Sequence, residues 1–296
     1  LGELVRTARA QVSGGAHFAR ELGDAILRQH RALGSVSPFD APTSAVNQKI
    51  TGSRRYAAQS YSLTRIRRIA DAYDATVNDA ILAICGGALR EYLLARDALP
   101  AKPLVAMVPV NLRDGESEGG NDIALILASL ATHIEDPRER MQAVKRSTQS
   151  SKARFRSMTP AYQKLFTAFS MMPAGLHMLS GGRLPGLQTS NVVVPNMPGP
   201  KETIYWNGAR LNGAYPVAFL MDHMALNITG MSYVDHLELG LTACRRTLPS
   251  MQKLLPAIER AMADLERAAG LAPPERTSTE GSSREGESFR TDDGAE

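Results

Sequence analysis

The stretch from Thr76 to Tyr92 constrains this chain more than any other. Val77, Ile81, Ile84, Ala88 and Tyr92 recur at three- and four-residue steps, and Cys85 and Leu89 widen the stripe. That spacing predicts a helix with a broad buried face. Thr76 and Asp79 have the pattern of a capping box, in which the hydroxyl takes an orphan amide and the carboxylate reaches back to the cap. Asn78 lies between them in the first turn, where unpaired N–H groups and the helix dipole can hold an oxyanion or a phosphate. Gly86 and Gly87 weaken a helix, which close packing of another backbone against that face would explain. On local chemistry alone, a well-capped core helix is the plainer reading.

The chain has 296 residues, 43% of them hydrophobic, enough for one large domain or two ordinary ones around a sizeable core. No apolar run reaches the ~18 residues that span a bilayer, and no signal peptide is visible. Cys85 and Cys244 sit inside apolar patterns with no partner at metal-ligand or disulfide spacing, so they read as reduced, buried thiols of a cytosolic protein. Neither a metal nor a cofactor is expected. The first residue is Leu1 rather than a methionine, so a fragment or a processed product is expected. Residues 270–296 are Ser, Glu, Gly, Arg and Asp with one aromatic and read as a disordered tail. The tail has seven acidic and three basic residues, so a chain of formal charge +4 concentrates +8 in the rest.

Residues 1–34 read as two helical segments broken at Gly14-Gly15, and residues 35–55 as a linker with Pro38, Pro42 and Gly52. A strand from Tyr56 to Leu63 runs into a short helix on Leu63, Ile66, Ile69 and Tyr73. Strands are expected from Pro103 to Asn111 and from Ile123 to Ile134, around a polar loop Leu112 to Asn121. Helices follow from Pro137 to about Phe155 and from Pro160 to Leu179. Leu187 to Pro195 reads as a strand closed by a rigid turn, Asn196-Met197-Pro198-Gly199-Pro200. Ile204 to Trp206, Arg210 to Val217 and Met224 to Tyr233 supply more strands, and Leu237 to Cys244 pairs back as a hairpin before a last helix from Pro249.

Five motifs in order carry a resemblance. Thr76-Val-Asn-Asp-Ala-Ile-Leu resembles the Asn-Asp helix of the chloramphenicol-acetyltransferase-like and condensation-domain superfamily. The others are residues 190–200 (Ser-Asn-Val-Val-Val-Pro-Asn-Met-Pro-Gly-Pro), 225–229 (Ala-Leu-Asn-Ile-Thr), 42–47 (Pro-Thr-Ser-Ala-Val-Asn) ahead of Arg54-Arg55, and 107–113 (Met-Val-Pro-Val-Asn-Leu-Arg). Together they resemble the bacterial wax ester synthase/acyl-CoA:diacylglycerol acyltransferase family over roughly residues 40–268. The resemblance implies an α/β (α+β) fold, a CoA-dependent acyltransferase-like two-layer sandwich with a mixed sheet packed by helices. Residues 56–269 would be its C-terminal domain.

That family's base motif, His-His-x-x-x-Asp-Gly, is absent, since the six histidines (His17, His30, His133, His177, His223 and His236) include no adjacent pair. The resemblance implies that the motif belongs to an N-terminal half ahead of Leu1. The partners it implies are that half, acyl-CoA as substrate rather than cofactor, and diacylglycerol or a fatty alcohol. Nucleic acid is not expected. The expected location is cytoplasmic, with peripheral contact to the inner face of the plasma membrane or to lipid inclusions left open. A non-catalytic lipid- or partner-binding domain of the same fold and a condensation-type acyltransferase are the alternatives.

Each candidate residue has two readings. Asn78 faces the catalytic histidine or merely fills a capped turn, whereas Asp79 reads as structural. Ser190 and Asn191 donate to an oxyanion or satisfy a strand edge. Asn227 is a site residue or, in the favoured reading, a buried amide pinning a loop, while Asn196, Pro198, Gly199 and Pro200 form the structural turn. Arg54, Arg55 and Arg67, with Arg65 and Arg68, form a basic cluster that steers CoA phosphates or is a solvated face. Asp222-His223 and Asp235-His236 fit hairpin ends better than a charge relay. Leu165 to Gly182 carries no formal charge between basic flanks. It is expected to lie in a headgroup layer with Phe166, Phe169 and Met172 touching lipid, or to line an acyl tunnel.

Overall fold

In the computed structural model the described residues are 36–37, 40–111, 123–159, 162–163, 165–168, 172 and 188–272. The helices expected within 1–34, the loop 112–121, most of 160–182 and the tail beyond 272 lie outside them. A one-turn 3-10 helix, Ala45–Asn47, precedes β1 (Arg54–Ser62), which leads directly into α1 (Leu63–Ala72) and α2 (Val77–Leu94). Next come β2 (Val105–Asn111), β3 (Ile123–Ser129) and α3 (Pro137–Ser157). The two-residue strands β4 (Val192–Val193), β5 (Asn196–Met197), β6 (Tyr205–Trp206) and β7 (Ala209–Arg210) follow. The long hairpin β8 (Leu226–Tyr233) and β9 (His236–Cys244) leads to α4 (Leu254–Ala269).

One mixed sheet runs in the order β1-β9-β8-β4-β2-β3, with β5 pairing farther along β8, as the expected sheet packed by helices requires. The strands β2, β4 and β8 are mutually parallel, and the other pairings of the main path are antiparallel. Strand periodicity sorts the side chains onto two faces. Ala106, Val108, Val192, Val194, Leu226, Ile228, Leu239 and Leu241 join all four helices in the main core. On the other face, Val105, Met107, Leu127 and Met224 form a smaller core with Val193, covered by Val36, Ala41 and Met221.

The helices start and stop where their residues dictate. Asp136 Oδ1 accepts the Glu139 N–H (2.8 Å) ahead of the first-turn proline of α3. The last helix ends on Gly270 at φ 72°, a left-handed cap that suits glycine. On α1, Arg65 grips Glu266 of α4 through Nε–Oε1 (2.7 Å) and Nη2–Oε2 (2.8 Å), a two-pronged clamp between helices.

Three expected strands differ. The third strand ends at Ser129 because the chain turns through Ala131, at φ 48°, into the approach to α3. Of the expected strand Leu187 to Pro195, Leu187 lies outside the described residues, and among the rest only Val192 and Val193 form a strand, flanked by single backbone bonds from the Asn191 and Val194 N–H groups. Of Arg210 to Val217, only Arg210 pairs, in the β6–β7 hairpin. The Leu211 N–H still bonds Ile204 O (2.9 Å) at that hairpin, and residues 215–218 cross the second face of β9 and β1 as a strap. Tyr56 Oη donates to Pro216 O (3.3 Å), and the Ala218 N–H donates to Thr242 Oγ1 (3.4 Å).

Gly86 is where α2 meets the sheet. A Cβ there would stand 2.3 Å from the carbonyl oxygen of Leu130, so the backbone contact expected from the glycine pair is present. Gly86→Ala should lower the unfolding free energy by on the order of 3 kcal/mol, as overpacking against a rigid backbone outweighs alanine's helix preference. Chemical denaturation of the variant checks this.

Candidate functional site

The first turn of α2 holds two neighbours in opposite states. Asp79 is buried and completes the expected capping box. Its N–H donates to Thr76 Oγ1 (3.2 Å), and its Oδ2 accepts the Thr76 N–H (3.0 Å). The Thr76 hydroxyl donates to the same oxygen (2.7 Å), and Thr148 of α3 donates to Oδ1 (2.6 Å). Its carboxylate is therefore occupied by donors from two helices. Asn78 is half-buried, and its Nδ2 is shielded from solvent with no acceptor among the described residues. A shielded amide donor without a partner, beside the positive end of a helix, is the arrangement that can stabilise a developing oxyanion. A recess of about 320 Å3 beside this turn is lined by Asp71, Asp74, Ala75, Thr76 and Gln149.

Ser190 and Asn191 sit elsewhere, at the N-terminal ends of the parallel strands. Asn191 is fully buried, and its amide is committed: Oδ1 accepts the Val105 N–H (2.8 Å), while Nδ2 donates to Pro42 O (2.7 Å) and Asn47 Oδ1 (2.6 Å). The expectation that it donates to an oxyanion is corrected on this point, because both its N–H bonds are used. Ser190 is equally buried, with its hydroxyl against the sulfur of Met224 (3.9 Å), so it too presents no free donor to a substrate.

In the sequence Asn47 is marked only by its place in the 42–47 motif. It donates Nδ2 to the carbonyls of His223 (2.7 Å) and Asn191 (3.2 Å) and accepts the Ser44 hydroxyl (2.6 Å). The segment read as a linker is thus anchored at its centre. His223 belongs to this knot through Nδ1 and Asn47 O (3.2 Å), and Asp222 accepts the Ile50 N–H (3.1 Å). Asp235 lies in the β8–β9 turn, where its carbonyl receives the Leu63 N–H (2.8 Å).

The remaining candidates divide the same way. Asn227 is buried and accepts the Thr229 hydroxyl (2.6 Å) within β8. The 196–200 turn rides along β8: the Gly199 N–H donates to Ser232 Oγ (3.0 Å), and Pro200 O accepts the Val234 N–H (2.9 Å). A Cβ on Gly199 would meet Ser232 O at 2.0 Å, which explains the glycine between Pro198 and Pro200. Asn196 Oδ1 is a second shielded polar atom with no partner among the described residues.

The arginine cluster does not assemble. Arg54 and Arg55 begin β1 and Arg67 lies in the helix that follows it, so a nine-residue strand, about 26 Å long, separates them. Arg54 donates to the carbonyl of Thr51, and Arg55 to the carbonyl of Pro249 and to Gln252 Oε1 (3.1 Å). Arg67 is exposed. Phe166 is also corrected, because it is buried edge-on to Phe155 with centroids 6.3 Å apart. It shares with Ile126, Leu127 and Met158 a void of about 10 Å3, no roomier than one water requires. Met172 is exposed, and Phe169 lies outside the described residues.

Asp79→Ala should cost about 2 kcal/mol, since it removes the cap and strands the buried Thr148 hydroxyl. Asn47→Ala should cost about 3 kcal/mol by leaving the Asn191 amide, the Asn191 carbonyl and the Ser44 hydroxyl short of partners. Urea titrations followed by far-ultraviolet circular dichroism check both.

Two family models match the chain: a wax ester synthase/diacylglycerol acyltransferase catalytic domain over residues 1–81, and the C-terminal domain of that family over residues 119–266. The O-acyltransferase WSD of Acinetobacter baylyi is 46% identical over 260 residues, covering 88% of this chain and 57% of that protein. A Mycobacterium tuberculosis protein named probable diacylglycerol O-acyltransferase tgs2 is 44% identical, covering 83% of this chain and 54% of its own length. The chain thus spans little more than half the length of the curated relatives it matches. Among solved structures, the wax ester synthase/diacylglycerol acyltransferase of Marinobacter aquaeolei VT8 superposes with a TM-score of 0.70 at 45% identity. That match covers 85% of this chain and 57% of that one. A condensation domain of the enacyloxin polyketide synthase, 12% identical at a TM-score of 0.50, shares the fold.

Proposed function

We propose, for a chain that belongs to the wax ester synthase/diacylglycerol acyltransferase family, that it supplies the C-terminal part of an O-acyltransferase moving a fatty acyl group from acyl-CoA to diacylglycerol or a long-chain alcohol. One observation carries this reading to particular atoms: Asn78 Nδ2, shielded and without an acceptor among the described residues, next to an Asp79 carboxylate that is fully engaged with Thr76 and Thr148.

The chemistry requires a base and an oxyanion donor. The acceptor hydroxyl loses its proton to the base as its oxygen attacks the thioester carbonyl. The carbonyl oxygen then carries negative charge until the C–S bond breaks, CoA leaves as a thiol on regaining the proton, and the ester remains. In this proposal Asn78 donates to the carbonyl oxygen while it is charged, and the α2 dipole adds to that donation. The base is a histidine of a His-His-x-x-x-Asp-Gly motif, which this sequence does not contain. An N-terminal half bearing that motif is the partner that completes the site. No described helix is long and apolar enough to cross a membrane. Acyl chains and diacylglycerol partition into lipid phases, which supports peripheral contact with a membrane or a lipid inclusion during turnover.

Chain 1–296 assayed alone with palmitoyl-CoA and hexadecanol should give no transfer, for the general base alone contributes about 10²–10⁴ in rate. Adding a His-His-bearing N-terminal half should restore activity, and robust turnover by the chain alone would sink the proposal. In the reconstituted enzyme, Asn78→Ala should lower kcat by on the order of 10² with little change in Tm. A kcat that stays at the parent value removes Asn78 from the site.

A further inference from the structure

Away from Asn78, toward the other end of α2, a second group stands without its natural partner. Arg140 of α3 is 4% exposed, so its charge is almost wholly removed from water. Its Nη1 donates to the carbonyls of Ile134 and Glu135, both at 3.0 Å. Its Nε meets no acceptor, and among the described residues no carboxylate comes within ion-pair distance of the guanidinium. Arg65 shows how the same fold treats a buried arginine that has a counterion, with two parallel bonds to Glu266. Two carbonyl contacts do not neutralise a buried cation, and an uncompensated buried charge is among the costliest features a fold can keep.

Arg140 opens onto a recess of about 190 Å3 between α2, α3 and α4, against the ~10–15 Å3 that a single water requires. Gly87 forms part of its wall, and a Cβ there would come within 3.1 Å of Arg140 Nη2, so glycine is what leaves the guanidinium its place. Arg90 is a second cation on the same wall. Burial lowers the pKa of Arg140 and the like charge of Arg90 lowers it further, while the more distant carboxylates of Asp264 and Asp136 offset part of this. The carboxylates around the recess are already engaged. Glu91 pairs with Arg260 (2.5 Å), Asp264 with Arg267 (2.9 Å), and the exposed Glu135 approaches Arg90 only at 3.8 Å. Of the two arginines that line the recess, Arg140 is the one with no carboxylate within ion-pair distance among the described residues.

We propose that this recess binds a small phosphate-class oxyanion, held by the Arg140 and Arg90 guanidinium groups and joining α2, α3 and α4. A tetrahedral oxyanion supplies several acceptors to donors already oriented by the helices. Glu135 competes for Arg90 from the rim, so the site predicts opposite effects from two neighbouring substitutions. Because α2 also carries Asn78, an occupied recess steadies the helix on which the acyl-transfer proposal rests, although anion binding itself does not depend on that proposal.

The test is calorimetric titration of chain 1–296 with inorganic phosphate at constant ionic strength, with Tm followed in parallel. Saturable binding and a rise in Tm are expected. Arg90→Gln should weaken binding about tenfold or more, and Glu135→Gln, at a fully solvated side chain, should tighten it about threefold. Arg140→Gln should abolish binding if it folds, but the first two variants decide the matter without it. A flotation assay with phosphatidic acid in phosphatidylcholine vesicles separates two sources of the same chemistry. Arg90-dependent flotation assigns the site to a lipid headgroup, and Arg90-dependent binding of free phosphate alone assigns it to a soluble anion. Absence of both, with the recess holding water only, overturns the proposal. So does binding that neither Arg90→Gln nor Glu135→Gln alters.

Discussion

The sheet depends on a pair of buried side-chain amides. Its middle strand, β4, is only two residues long, yet it joins β2 to β8 and so holds the two halves of the sheet together. Two backbone bonds flanking that ladder, from the Asn191 N–H to Val105 O (2.7 Å) and from the Val194 N–H to Met107 O (2.9 Å), extend the pairing by little. Asn191 and Asn47 supply the rest. Between them they tie Pro42, Val105, Asn191 and His223, on four stretches of chain, into one buried and mutually satisfied knot. In a low-dielectric interior such a network is stiff, because every member would be left unpaired if one let go. The crossing segment before β1 and the turn entering β8 are positioned by the same knot.

The register fixed there aligns what α2 rests on. Leu130 follows β3 immediately, and its carbonyl receives the bare Cα of Gly86, so α2 lies as close to the sheet as a helix can. At its other end, Thr148 of α3 fixes the carboxylate that caps α2, and Ser147 and Ser151 of α3 bond the backbone of β3 through Ser129 N (2.8 Å) and Leu127 O (2.6 Å). The first turn of α2 is therefore held from three directions while Asn78 itself is held by none. A rigid turn carrying one unspent donor is what preorganisation means in structural terms. Under the proposed acyl transfer, that donor would meet the charged thioester oxygen.

Charge follows a related logic. Arginines that have carboxylate partners act as ties between helices, as Arg65 and Arg260 do. Those on β1 cap carbonyls at its entrance and do not gather into a phosphate-binding face. Arg140 also caps carbonyls, those of Ile134 and Glu135, but it does so as buried as a core residue and with no counterion among the described residues. Formal charge along the sequence distinguishes none of these cases, since each depends on what lies across a helix interface.

Local pattern determined much of this protein. The helical stripe from Val77 to Tyr92, the Thr76–Asp79 box and the Pro137 start of α3 are set by neighbours three or four residues apart, and the β8–β9 hairpin by strand alternation around a tight turn, so their physics is contained in short windows of sequence. The ordered motifs sufficed for the family and, through it, for the mixed sheet. Tertiary structure alone decided the rest, because the deciding contacts join residues far apart in the chain. Asn191 and Asn78 are both short polar residues beside apolar runs, and nothing local tells the knotted amide from the unspent one. The difference is the presence of Asn47, 144 residues away, at 2.6 Å from the first. In the same way Phe166 reads as lipid-facing until Phe155 covers it, and the arginines read as a cluster until most of β1 comes between them. Polar function is decided by which hydrogen bonds are left over after folding, and that remainder exists only in three dimensions.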